Sequence, residues 1–234
     1  MHPSALEIAA LFYKTYAGST ALRTVVDIGA QNVNGSIKDV TPSHLQYIGV
    51  DFVRAAGVDV VLTDPYTLPF ENDSVDIVMC NSCLEHSEMF WVLYLEVLRI
   101  LRPSGLFYIN VPSNGHYHRW PVDCWRFYPD SGRALVNWAK RNGLAPALLE
   151  SFVSDKYKGI WNDYVAVFLK DEAEMSAYPN RMVHQIDSFT NGTVDAKAEI
   201  LRFRATPEDQ YSLLTAIKCR YWMWRDRRAA RRRN

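Results

Sequence analysis

The feature that most constrains the fold lies at residues 23–51, where two short apolar runs each end at a turn or at an acid. The first run, residues 25–28, stops at Gly29, and the second, residues 47–50, stops at Asp51. Short apolar runs of this kind are typical of parallel strands buried on both faces, and glycine permits the sharp turn that follows. The stretch therefore predicts an open α/β sheet.

Asp51 and the Gly29 turn indicate a nucleoside site. A carboxylate at the tip of the second strand can accept both ribose hydroxyls, while the glycine lets a ligand approach the backbone. The dinucleotide fingerprint is absent, because Gln31 and Asn34 stand where it needs glycines. Asp27 would repel a phosphate and suits a cationic ligand. These residues resemble the first motif of class I S-adenosylmethionine (SAM)-dependent methyltransferases, D/E-x-G-x-G-x-G, from which Gln31 departs.

A longer run of motifs over residues 64–112 resembles the same methyltransferases more specifically. It contains D-P-Y-T-L-P-F, V-D-I-V-M-C, L-E-H, a helical pattern and L-R-P-S-G-L-F-Y-I-N-V-P. The resemblance implies an α/β fold with a Rossmann-like sheet, mostly parallel with the last strand antiparallel. Only about eight to ten residues connect the early strands, too few for full crossover helices, so the early helices are expected to be single turns.

Three regions are expected along the chain. An N-terminal helix lies in residues 1–22, a SAM-binding methyltransferase domain spans 23–170, and a C-terminal extension spans 171–234. The extension contains a predicted helix at about 207–226, capped by Thr206 and Pro207, and a basic tail. This helix is a candidate for covering the sheet or for homo-oligomer formation. The tail arginines could bind nucleic acid, an anionic bilayer or an acidic glycan, or only complement the helix dipole.

Composition sets the outer bounds of function. The chain has 234 residues, 48% of them hydrophobic, and a formal net charge of zero, which describes a globular protein without a bias toward nucleic acid. No secretory leader and no apolar run of roughly 18 residues is present, so we expect a cytoplasmic protein without a transmembrane segment. Four cysteines fit reduced thiols, and Cys80 with Cys83 lacks the second pair that a four-ligand zinc site needs.

The resemblance assigns cofactor roles to residues at the strand ends. The methionine part of SAM is expected at the first turn, the ribose at the second strand and the sulfonium at the fourth. The expected cofactor-binding residues are Asp27, Gly29, Ala30, Asp51, Phe52, Asp64, Pro65, Tyr66, Asn81 and Ser82. Two of them have structural alternatives: Phe52 could belong to the core, and Asp64 could cap its own turn.

Methyl transfer to a hydroxyl needs orientation and the removal of one proton. His86, in the L-E-H motif, is the first candidate base, although a histidine at a helix start could equally bond to backbone. His116, His118 and Asp123 are the next candidates. In ubiquinone-pathway O-methyltransferases, which this segment resembles, the E-H pair holds a metal with a further Glu. Ser82 stands at that position, so no metal is expected.

An aromatic and charged loop follows the fifth predicted strand. Its sequence, H-Y-H-R-W-P-V-D-C-W-R-F-Y-P-D, resembles a bacterial methyltransferase subgroup associated with surface polysaccharide and glycan pathways. Aromatic planes beside polar groups hold sugar rings, and the sheet places this loop over the ligand crevice. The expected substrate-binding residues are Tyr117, Arg119, Trp120, Trp125, Arg126 and Tyr128.

The sequence thus predicts O-methylation of a sugar or glycan-like acceptor. Two alternatives remain open. One is methylation of another small molecule, such as a phenol or an amine, or of RNA. The other is a binding protein with a methyltransferase fold but no activity, for which Gln31 and the basic tail speak.

Overall fold

The structure, a computed structural model, describes most of the chain. The described residues are 3–18, 21–156, 161–197 and 199–205, with 213, 214, 217, 218, 220, 221, 224 and 225 of the remainder. Among them, eight strands form one mixed sheet in the order β3-β2-β1-β4-β5-β7-β6-β8. The strands are β1 (Thr24–Ile28), β2 (Gln46–Asp51), β3 (Val60–Val61), β4 (Val75–Asn81), β5 (Leu101–Pro112), β6 (Ala147–Ser154), β7 (Asp163–Leu169) and β8 (Phe189–Val194).

The strand directions confirm the predicted fold class. β3, β2, β1, β4 and β5 run parallel to one another, whereas β7 runs antiparallel to both β5 and β6. The expected connection of eight to ten residues occurs between β2 and β3 (residues 52–59) but not between β1 and β2 (residues 29–45). The connection between β1 and β2 nevertheless forms only a single 3-10 turn, Ile37–Val40, capped by the side chain of Ser36.

In the described part of the chain, three α-helices cover the sheet: α1 (Pro3–Tyr16), α2 (Phe90–Ile100) and α3 (Ser131–Arg141). The second and third pack on one face, where Leu93, Val97 and Leu135 belong to one apolar core. The first packs on the other face, where Phe12 contacts a core that includes Met182 and Phe189. The N-terminal helix therefore supplies the cover that the short early connections leave out.

A buried carboxylate ties these parts together. Glu150 of β6 accepts a hydrogen bond from the Tyr16 hydroxyl at 2.5 Å. It also accepts from the backbone nitrogens of Met182 at 2.7 Å and Val183 at 2.9 Å. Glu150 is fully buried, and burial raises its pKa. The end of α1, the middle of β6 and the segment after β7 thus meet at one side chain.

The sequence pattern did not reveal β8. This strand pairs antiparallel with β6, so the sheet continues into the C-terminal extension. The eight described residues between 213 and 225 are helical and exposed, whereas Thr206, Pro207 and the arginines of 227–234 lie outside the described residues. No helix in the described part of the chain is long and apolar enough to cross a membrane.

Candidate functional site

The site lies at the sheet edge where β1, β2, β4 and β5 have their carboxyl ends. The backbone nitrogens of Gly29 and Ala30 both donate to the carbonyl of Val50, at 2.9 and 3.2 Å, which closes the turn after β1 against β2. Gly29 has φ +79°, and a Cβ there would lie 2.8 Å from the Cβ of Cys83. Glycine is therefore required both by the backbone angle and by the close approach of the chain.

Asp27 lies buried directly before this turn. Its Oδ2 accepts a hydrogen bond from the Tyr47 hydroxyl at 2.7 Å. Burial, together with the neighbouring charge of Asp51, raises the pKa of Asp27 to about 7, although the hydrogen bond from Tyr47 lowers it. A cation bound at this point would relieve the desolvated, mutually repelling carboxylates.

Asp51 and Phe52 end the second strand as the sequence pattern predicted. Asp51 is 8% exposed, and one of its oxygens accepts a hydrogen bond from the backbone nitrogen of Val53 at 3.0 Å. Phe52 is 49% exposed, so the core alternative for this ring is wrong. The Asp51 carboxylate, whose second oxygen is not used by this hydrogen bond, and the exposed ring of Phe52 are therefore adjacent.

Asp64 adopts the structural role that its turn allowed. Its two oxygens accept the Tyr66 backbone nitrogen at 3.0 Å and the Thr67 hydroxyl at 2.7 Å. These hydrogen bonds hold the pKa of Asp64 below its usual value. The turn also positions the Tyr66 hydroxyl, which accepts the Met89 backbone nitrogen at 3.1 Å and so joins this segment, with Pro65, to the start of α2.

The end of β4 carries a local backbone constraint. Asn81 is buried and paired in register with Asn110 of β5. Ser82 follows with φ +48°, and its nitrogen donates to the Asn110 carbonyl at 2.8 Å. The chain thus leaves the sheet by a left-handed residue, an arrangement that often marks a site where a ligand meets the backbone.

Glu85 and His86 come next and are held differently from one another. The His86 Nδ1 lies 2.5 Å from the Val122 carbonyl, so Nδ1 carries the proton and Nε2 presents a lone pair. Burial lowers the pKa of His86. Glu85 is 1% exposed, and burial raises its pKa to about 8. The Glu85 Oε1 is 3.7 Å from the His86 Nε2, longer than a hydrogen bond.

The loop after β5 folds back onto this pair. The His118 ring centroid lies 5.0 Å from that of His86. The Nδ1 of His118 lies 3.1 Å from the His116 carbonyl oxygen and 3.4 Å from the Asp123 carboxylate. The His116 ring packs instead at 4.8 Å from the ring of Trp161. Of the candidate bases, His86 and His118 therefore stand together, with His116 one ring farther out.

Asp123 frames the loop. It accepts two hydrogen bonds from the Arg126 guanidinium, at 2.5 and 2.8 Å, and one from the His118 backbone nitrogen at 2.6 Å. Burial would raise the pKa of Asp123, but Arg126 and the His118 amide hold it below its usual value. Arg126 also donates to the His116 carbonyl at 3.0 Å. The Asp123 carboxylate and the Arg126 guanidinium therefore stabilise the conformation of the loop.

The remaining loop side chains point outward. Tyr117 is 70% exposed and Trp120 58% exposed. Trp125, Tyr128 and Arg119 are exposed as well. The indole nitrogen of Trp120 donates to the side-chain oxygen of Gln31 at 3.2 Å. The aromatic loop is therefore hydrogen-bonded to the turn after β1, through the residue that departs from the usual glycine motif.

Two further contacts lie at this edge. Asp163, at the start of β7, is buried, and burial raises its pKa to about 7. Antiparallel pairing brings this first residue of β7 opposite Pro112, the last residue of β5. Gly115, with φ +116°, packs under Trp161, whose ring would lie 1.9 Å from an added Cβ, and no sequence pattern announced that contact.

Comparison with known proteins agrees with this geometry. Residues 16–109 match the family model described as a methyltransferase domain. This part of the chain is therefore similar to methyltransferase domains, whose cofactor is SAM. The close turn at Gly29, the buried acids at the tips of β1 and β2, and the open face of Phe52 fit that cofactor. They would hold its methionine part, its ribose and its adenine.

The relatives are partial matches. An uncharacterized methyltransferase of Mycobacterium marinum is 31% identical over 133 residues, covering 55% of this chain and 47% of that protein. The chain thus spans about half the length of the curated relatives it matches. The 1,6-didemethyltoxoflavin-N1-methyltransferase of Burkholderia thailandensis, solved with bound 1,6-didemethyltoxoflavin and S-adenosylhomocysteine, has TM-score 0.54 at 18% identity, covering 72% of this chain and 79% of that one. The [4+2]-cyclase SpnF has TM-score 0.53 at 11% identity, covering 71% and 81%.

Proposed function

We propose that this protein transfers the methyl group of SAM to a hydroxyl of a sugar or glycan-like acceptor. The observation that carries the proposal is the position of the aromatic loop. Trp120 reaches the turn after β1, while His118 of the same loop lies against His86. The loop therefore extends from the turn after β1 to His86, the first candidate base.

Bound SAM would supply an electrophilic methyl group on a sulfonium that leaves as a neutral thioether. The chain's own residues would orient it. Asp27 faces the ammonium group, Asp51 accepts the ribose hydroxyls and Phe52 stacks on the adenine. Ser82, which directly follows β4, would lie beside the reacting centre. Because each of these residues sits on a rigid strand end, the orientation is built in before the ligand arrives.

The acceptor hydroxyl loses its proton as the new bond to carbon forms. We propose His86 as the group that takes this proton. Its Nδ1 is committed to the Val122 carbonyl, which leaves the Nε2 lone pair as the basic atom. Its lowered pKa keeps the imidazole neutral at pH 7, the form that a general base needs.

Recognition of a sugar ring is supported by the exposed aromatic side chains. Tyr117, Trp120 and Tyr128 offer flat apolar surfaces, and Arg119 offers donors. Apolar ring faces of a sugar stack on aromatic planes while its hydroxyls take hydrogen bonds. Arg126 and Asp123 would act on the acceptor indirectly, by holding the loop in shape.

Release of S-adenosylhomocysteine tests the proposal. The protein is incubated with SAM and, in parallel, with sugar nucleotides, oligosaccharides, phenols, amines and RNA. We expect release with a carbohydrate acceptor and none from Asp51→Ala. Release with phenols, amines or RNA would assign the other acceptor classes that the sequence left open. SAM binding without release on any acceptor would favour the non-catalytic binding protein.

Gln31 is the observation that keeps the non-catalytic alternative in view, since a side chain stands where related turns have glycine. Location and assembly are proposals of the same kind. The described cysteines, Cys80, Cys83 and Cys124, are all free thiols, which supports a reducing, cytoplasmic compartment. The exposed apolar residues of the C-terminal helix, among them Leu214 and Ile217, support self-association through that helix.

A further inference from the structure

We propose that Glu85, His86 and His118 bind one divalent first-row transition-metal ion on the acceptor side of the site. The three residues come from two segments that the fold brings together, the L-E-H turn after β4 and the loop after β5. One ligand atom of each lies within 4.8 Å of the others. This spread is of the size that a single ion can close by small side-chain movements, since its bonds to nitrogen and oxygen are roughly 2.0–2.2 Å long.

The two histidines are oriented as metal ligands usually are. His86 donates from Nδ1 to the Val122 carbonyl, and the Nδ1 of His118 faces the His116 carbonyl and the Asp123 carboxylate. A backbone carbonyl or carboxylate on one ring nitrogen fixes the tautomer and leaves the other nitrogen as a donor to a metal. Both imidazoles are therefore prepared to bind through Nε2.

Glu85 completes the set. Its Oε2 is buried and has no hydrogen-bond partner among the described residues. Its Oε1 lies 3.7 Å from the His86 Nε2, so the pair is not joined by a hydrogen bond. A buried carboxylate left in this state is costly unless it is protonated or meets a cation. A metal ion between Glu85 and the histidines would satisfy the carboxylate and both rings at once.

The surrounding charges permit a cation. Asp123 and Asp163 act on Glu85 as negative groups, and Arg126 acts as a positive one. The guanidinium of Arg126 is already paired with both oxygens of Asp123. Asp123 and Arg126 therefore largely neutralise each other, which leaves Asp163 as the further acid acting on the ligand set.

The donor set indicates which ions fit. Two imidazoles and one carboxylate suit Zn²⁺, Mn²⁺, Fe²⁺ or Co²⁺, whereas Mg²⁺ prefers oxygen ligands. Three protein ligands leave coordination positions open for water or for an acceptor hydroxyl. The sequence argued against a metal because Ser82 lacks a ligand atom of the right kind. The structure supplies the missing ligand from His118 instead, 32 positions after His86, where no local motif points to it.

The role of the ion in catalysis rests on the proposed function, although its binding does not. An acceptor hydroxyl coordinated to the ion would have a lowered pKa and would release its proton to water. The oxygen could then attack the methyl carbon as the carbon–sulfur bond breaks and its electron pair stays on sulfur. His86 would thus take the proton in metal-free protein, whereas in metal-bound protein it would be a ligand and water would take the proton.

Titration of chelator-treated protein with Co²⁺ tests the site. Two imidazoles and a carboxylate give visible d–d absorption, whereas binding to Cys80 or Cys83 would add an intense sulfur-to-metal band in the near ultraviolet. We expect one equivalent of Co²⁺ with d–d bands alone, displaced by Zn²⁺ and not by Mg²⁺. His44→Ala, which removes an exposed histidine elsewhere, should bind as the wild type does.

The variants decide the outcome. We expect His86→Ala and His118→Ala to abolish the Co²⁺ bands, and Asp123→Asn to weaken binding about ten- to a hundredfold through the orientation of His118. Circular dichroism checks that each variant is folded. Undiminished d–d bands in folded His86→Ala or His118→Ala would overturn the proposal. A sulfur-to-metal band in the wild type, or loss of the bound equivalent of Co²⁺ when Cys83 is replaced, would overturn it too.

Separate calorimetry with SAM distinguishes this proposal from the proposed function. Protein that binds SAM and methylates an acceptor but does not bind Co²⁺ would refute the metal site alone. Protein that binds Co²⁺ at these residues but neither binds nor consumes SAM would refute the methyltransferase function and leave the metal site standing.

Discussion

The state of Asp27 predicts that SAM affinity depends on pH in an unusual range. If Asp27 holds the ammonium group of the ligand, only the carboxylate form binds well. The pKa of Asp27 is raised by burial to about 7, so the carboxylate fraction is roughly nine tenths at pH 8 and one tenth at pH 6. Affinity should therefore be present above pH 7 and fall roughly tenfold between pH 8 and pH 6.

Tyr47→Phe should move this transition. The mutation removes the 2.7 Å hydrogen bond to Asp27. A hydrogen bond to a charged group contributes about 1.5–3 kcal/mol, so its loss should raise the pKa of Asp27 by about one to two units. The carboxylate fraction at pH 7 would fall from about one half to between about a tenth and a hundredth. SAM should then bind about five- to fiftyfold more weakly at pH 7.

Isothermal titration calorimetry with SAM from pH 6 to pH 8.5 measures both effects. Tyr13→Phe is the matched control, because its hydroxyl bonds to Thr41 at 3.0 Å rather than to Asp27. That variant should keep the wild-type pH dependence. A flat affinity between pH 6 and pH 8 in folded wild-type protein, or equal shifts in both tyrosine variants, would refute the role of Asp27.

Three further predictions concern the loop, the base and the core. Trp120→Ala should raise the acceptor KM about tenfold with little change in SAM affinity. Trp120→Phe keeps a stacking ring but loses the hydrogen bond to Gln31, so it should change KM less. If Trp120→Ala lost SAM binding in parallel with turnover, the loop would instead be a cofactor lid. His86→Ala should lower kcat about a hundredfold or more, and the lower limb of the wild-type pH–rate profile should lie below the ordinary histidine pKa of about 6.5, because burial lowers the pKa of His86; a limb above 7 would contradict that assignment. Glu150→Ala should destabilise the protein by about 3–5 kcal/mol in urea unfolding, since three buried donors lose their acceptor; a loss below about 1 kcal/mol would show that water replaces the carboxylate.

Local pattern was enough to predict the frame of the fold. The apolar runs before Gly29 and Asp51 predicted β1 and β2, and the short connections predicted single-turn crossovers, because both depend on neighbouring residues alone. β8 was missed because its sequence, F-T-N-G-T-V, contains Asn191 at φ +49° and a glycine. That strand exists only because β6 offers a free edge for it to pair with.

The site divides in the same way. Asp27 and Asp51 lie near the ends of β1 and β2, and His86 lies in the turn after β4, so all three could be named from local sequence patterns. The approach of His118 to His86 and the bond from Trp120 to Gln31 depend on how a long loop folds back. No spacing rule reports such contacts. Gln31 illustrates the point, since it is a departure in the motif and a hydrogen-bonding partner in the structure.

The anchor of the first helix also has a consequence for the order of folding during synthesis. Tyr16 leaves the ribosome early, yet its partner Glu150 is 134 residues later in the chain, and the amides of Met182 and Val183 follow later still. Until those residues emerge, α1 can pack on β1, β4 and β5, where Phe12 shares a core with Val25, Met79 and Tyr108, but its last turn lacks the bond from Tyr16 to Glu150. The last turn of α1 is therefore expected to be fixed late in folding, and slow or interrupted translation of the second half should expose it to proteases.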